Sequence, residues 1–85
     1  MFLHDTVVQI PKRNFTGLYS RSTSGRYVLA WGDHDGKGRG GYRVSGEGRY
    51  LLYDRDHLLV EGSMARPNDG KVADSGNFIL NDWEF

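Results

Sequence analysis

The apolar residues of this chain come in short runs separated by glycines and polar clusters. No window holds the i, i+3, i+4, i+7 stripe of an amphipathic helix over three turns. Runs of Tyr, Val, Leu, Ile and Phe between glycines are the pattern of many short strands. The spacing predicts strands over 6–10, 15–20, 26–31, 42–44, 49–53, 58–61, 71–73 and 77–83. In 26–31, Tyr27, Leu29 and Trp31 fall on one face and Val28 and Ala30 on the other, so both faces are apolar. A strand of that kind is covered on both sides. Thr23-Ser24-Gly25, Asn68-Asp69-Gly70 and Ser75-Gly76 read as turns, with Pro67 leading into the second. The expected fold is all-β, with seven or eight short antiparallel strands in one small domain over 1–85. Residues 32–41 hold five glycines and no apolar side chain, and read as a flexible surface loop.

One unit recurs: a polar residue, Gly, a polar residue, an aromatic and two aliphatics. It stands at Ser24-Gly25-Arg26-Tyr27-Val28-Leu29, Glu47-Gly48-Arg49-Tyr50-Leu51-Leu52 and Ser75-Gly76-Asn77-Phe78-Ile79-Leu80. Each reads as a turn glycine feeding a strand whose aromatic enters a shared core. The unit resembles the strand starts of β-propeller blades, most closely where Asp69-Gly70-Lys71-Val72-Ala73-Asp74 leads into the third copy. The resemblance covers about residues 15–85, roughly two blades' worth at about 40–50 residues each. It implies blade-like sheets that belong to a longer propeller or that close with further copies; a small β-sandwich or barrel is the other architecture the strands allow.

Length and composition narrow the function. With 85 residues the chain is one small domain, and without cysteine it has neither disulfide staples nor thiol chemistry. Eleven basic and eleven acidic residues cancel, which argues against binding driven by bulk charge. The cancellation hides an asymmetry: residues 12–49 carry eight basic groups against three acidic, and 50–85 carry three against seven. Adjacent strands pairing opposite charges would use it within the chain. Head-to-tail contact between copies would use it across chains. For that contact Trp83 and Phe85 are the apolar anchors, with Arg39, Arg43, Asp82 and Glu84 as complementary charges.

Specific chemistries each lack a part. Asp33 and Asp35 have the spacing of calcium ligands, but Lys37 stands where an oxygen ligand is wanted. His4, His34 and His57 form no local zinc motif. The pairs Asp54/Asp56 and Asp82/Glu84 put two carboxylates on one side of a strand, and no nucleophile elbow accompanies them. No cofactor, metal or enzymatic activity is therefore expected. Trp31 and Trp83 would be the ring platforms of a carbohydrate site. Phe15, Tyr19, Tyr27, Trp31 and Tyr42 among arginines would be those of a single-stranded nucleic-acid site. No apolar segment approaches the length of a membrane helix, and residues 1–10 lack the basic start of a signal peptide. The leading expectation is a soluble, non-catalytic β module whose partner is itself or another protein.

Overall fold

The computed structural model of the chain describes residues 1–33, 47–65 and 67–82. The described chain is strand almost throughout. The strands are β1 (Phe2–His4), β2 (Val7–Ile10), β3 (Phe15–Arg21), β4 (Tyr27–Asp33), β5 (Glu47–Asp54), β6 (His57–Ala65), β7 (Pro67–Val72) and β8 (Phe78–Asp82). β1 to β6 form an antiparallel sheet in chain order, and β7 and β8 form a separate two-stranded sheet. A 3₁₀ turn, Pro11–Arg13, joins β2 to β3 and ends on Asn14 in the left-handed region. Asn tolerates that conformation better than most residues.

Alternation gives the large sheet two apolar faces. Val8, Ile10, Phe15, Val28, Ala30, Leu51 and Tyr53 share one cluster. Leu3 of β1 and Leu58 of β6 pack against that same cluster, so the sheet curls until its two ends approach one core. The opposite face presents Tyr27, Leu29, Trp31 and Leu52, which Val72 of β7 and Phe78 and Leu80 of β8 cover. As the sequence predicts, β4 lies between these clusters: no residue of Tyr27–Trp31 is more than 9% exposed. The β7–β8 hairpin approaches closely because Gly70 lacks a side chain; a Cβ there would lie 2.8 Å from Leu29 Cδ2 and 2.8 Å from Trp31 Cζ3.

Two of the three recurring units share a turn. Gly25 and Gly76 have φ of 82° and 89°, and each donates its N–H to the carbonyl three residues back, at 2.8 and 2.9 Å. Arg26 N–H and Asn77 N–H then reach Ser24 Oγ and Ser75 Oγ, at 3.3 and 3.4 Å. The units face each other: Tyr27 and Leu29 from β4 meet Phe78 and Leu80 from β8 in one cluster. The middle unit differs. Gly48 lies inside β5, not in a turn, and the buried Pro67 ring occupies the space its side chain would take.

Other boundaries shift as well. β1 was not predicted. Residues 68–70, expected as a turn, lie inside β7, which absorbs Asp69 at φ 52° within an irregular register. Gly32 and Asp33, expected in the loop, end β4 opposite Arg49 and Gly48. The rest of that loop and the strand predicted over 42–44 lie outside the described residues.

Candidate functional site

Among the described residues, the sheet edges leave backbone and apolar groups without a neighbouring strand. β6 pairs with β5 from Glu47↔Ala65 to Asp54↔His57, with a register shift between Leu52 and Tyr53. Its other side has no strand beside it among the described residues. Leu59 and Val60 are 51% and 38% exposed there. The apolar run Leu58-Leu59-Val60 is visible in the sequence, and the register shift falls on it: Leu52 pairs with Val60 and Tyr53 with Leu58, so Leu59 is skipped. β1 forms the opposite edge with only three residues, and Phe2 is 64% exposed. On the hairpin, Ile79 is also 64% exposed.

The charged asymmetry is used inside the chain. Arg26, from the basic stretch, holds Asp54 in a two-pronged contact, Nε and Nη2 to the two carboxylate oxygens at 2.9 Å each. That hydrogen bonding is the main reason Asp54 ionises at lower pH than an ordinary aspartate and the guanidinium holds its proton more firmly still. Arg49 reaches Glu61 through Nη2 at 3.1 Å, and Arg13 reaches the same carboxylate at 3.5 Å. Arg49 also lies over the Phe15 ring, 5.1 Å from its centroid, and donates to the Arg13 carbonyl at 2.7 Å. A further tie joins the two glycine turns: Ser24 donates through N–H and Oγ to Asp74 Oδ1, at 2.9 and 2.7 Å. These bonds hold Asp74 below the usual carboxylate range.

The proposed contact residues fall mostly beyond view. Arg39, Arg43, Trp83, Glu84 and Phe85, and the candidate ligand Asp35, lie outside the described residues. Asp82 ends β8 opposite Pro67, and Asp33 ends β4 opposite Gly48. Among the described residues no group of three or more His, Asp or Glu is placed to share a metal. Asp54 and Asp56 do not share a strand face. Asp54 ends β5, whereas Asp56 follows Arg55 (φ 56°) in the β5–β6 turn. Trp31 and Tyr27 are buried in the core between the sheets and offer no ring face to a sugar or a base. Comparison with protein-family models, curated proteins and solved structures finds no match to this chain.

Proposed function

We propose that the chain is a non-catalytic β-sheet assembly module that associates with copies of itself through the β6 edge. The observation that carries this reading is β6 itself: nine residues long, paired on one side among the described residues, with Leu59 and Val60 turned to water. A long edge with apolar side chains is a template for another strand. Backbone pairing there supplies affinity, and burial of Leu59 and Val60 supplies selectivity. Arg26, Arg49 and Arg13 are engaged within the chain, which leaves Arg39, Arg43, Asp82 and Glu84 as the expected complementary charges in a supporting part. Trp83 and Phe85, outside the described residues, remain the expected apolar anchors, and a copy that closes with others is one architecture the blade resemblance implies. Solution mass by light scattering tests the reading. It predicts a species heavier than one chain that Leu59→Lys reduces to a folded monomer; a monomeric wild type at high concentration overturns it.

A further inference from the structure

An assembly edge needs a partner edge, and the recurring unit points to one. The turn at Gly76 repeats the turn at Gly25, and from there β8 matches β4 residue by residue: Phe78 with Tyr27, Ile79 with Val28, Leu80 with Leu29. β4 has a strand on each side, so Val28 stands between Arg21 of β3 and Tyr53 of β5 and is 5% exposed. β8 has β7 on one side and, among the described residues, no strand on the other. Ile79 pairs with Lys71 alone and is 64% exposed. The same strand chemistry is thus central in its first copy and an edge in its third.

The other edges match β6 poorly. β1 is three residues long. β7 starts at Pro67, which has no N–H to donate, and its ladder is interrupted between Asn68 and Lys71, with Asp69 at φ 52°. β6 against itself fails on charge. Its nine residues centre on Glu61, so the antiparallel register that pairs the whole strand with its copy sets Glu61 against Glu61. Like charges directly opposite are destabilising. β8 stays regular, because the extra residue of its ladder lies in β7, and Phe78–Asn81 carries no charge.

We propose that β6 of one copy pairs antiparallel with β8 of the next, with Leu59 and Val60 beside Ile79. The pairing rests on the reading of β6 as an assembly edge and names the surface that edge binds. The two edges differ, so the contact is head-to-tail, and a pair of copies still has one free β6 and one free β8. Such contacts close into a ring or run on as a filament.

Two variants block one edge each. Leu59→Lys spoils β6 and keeps β8; Ile79→Lys spoils β8 and keeps β6. Both positions are more than half exposed, and circular dichroism checks each fold. Light scattering after size exclusion should find each variant alone as a monomer. Mixed in equal amounts, they should give a species of two chains and nothing larger, because one intact β6 meets one intact β8 and the remaining edges are blocked. Should Ile79→Lys fail to fold, Ile79→Thr keeps a β-branched strand former at the site and should still reduce assembly. A folded Ile79→Lys protein that assembles as the wild type does overturns the assignment of β8 and leaves the β6 reading standing. Two monomeric variants that stay monomeric when mixed overturn the pairing of β6 with β8. A monomeric wild type overturns both readings.

Discussion

Replacing Gly70 with alanine tests whether the hairpin is pressed onto the sheet as tightly as its packing requires. The new Cβ would stand 2.8 Å from Leu29 Cδ2, 2.8 Å from Trp31 Cζ3 and 2.9 Å from Leu80 Cδ1. Carbon atoms are comfortable at about 3.5–4.0 Å, so three side-chain ends from both layers must each retreat by roughly 0.6 Å or more. Leu29 is fully buried and Trp31 nearly so, which leaves little room for that retreat. Overpacking of this kind costs about 1–3 kcal/mol. Gly70 is not among the positive-φ residues, so alanine also gains about 0.4–1 kcal/mol by restricting the unfolded chain. The net loss is about 1–2 kcal/mol, and a domain of this size then melts roughly 5–15 °C lower. Thermal unfolding by circular dichroism reads the loss. In a Trp83→Phe background, emission from Trp31 reports whether the hairpin has lifted. Gly25→Ala is the control. Nothing lies within 4 Å of a Cβ there, but φ is +82°, so it costs about 1 kcal/mol of backbone strain and leaves Trp31 emission unchanged. A Gly70→Ala protein as stable as wild type, with unchanged Trp31 emission, would refute the close packing of hairpin on sheet.

Three further outcomes follow from the side-chain network. Leu51→Ala empties a fully buried position in the curl of the large sheet and should cost about 2–5 kcal/mol in urea unfolding. Arg49→Ala should destabilise more than Arg13→Ala in the same assay, because Arg49 is 16% exposed, covers Phe15 and holds both Glu61 and the Arg13 carbonyl. Acid unfolding should depend on Asp54 and Asp74. Both carboxyls are depressed in the folded chain, so their contribution is present above the unfolded value of about 3.9 and fades as pH falls through the folded values. Asp74→Asn should therefore flatten the fall in melting temperature below about pH 4, where Asp74 would otherwise lose its bonds to Ser24.

The all-β class and the burial of Tyr27–Trp31 were legible because alternation has a period of two and both parities were apolar. The glycine turns at 25 and 76 were legible because glycine after Ser at a strand start suits a turn that needs φ above zero. Gly48 was misread for an instructive reason. Its neighbours match those two, but its glycine is demanded by a distant proline, Pro67, that packs against it. Pro67-Asn68-Asp69-Gly70 carries turn chemistry and is nonetheless strand, since burial of Pro67 and the close approach at Gly70 outweigh local preference. β1 has two apolar residues beside His4 and Asp5, too little to signal a strand; pairing with Val7–Gln9 makes one. For the candidate site, the apolar run at 58–60 was visible, but which of its residues faced water was not, because the register shift that skips Leu59, with Leu58 half-buried beside it, is not written in the local sequence.

The reading of the chain as an assembly module rests on the β6 edge, and light scattering after size exclusion tests it most directly. Wild type, Leu59→Lys and Trp83→Ser/Phe85→Ser should be run at low and high salt. The account predicts a discrete oligomer or filament in the wild type that persists at high salt, because apolar and backbone contacts carry it. It predicts a folded monomer for Leu59→Lys. A wild type that elutes at 9.6 kDa under both conditions contradicts it, as does an oligomer that Leu59→Lys leaves intact.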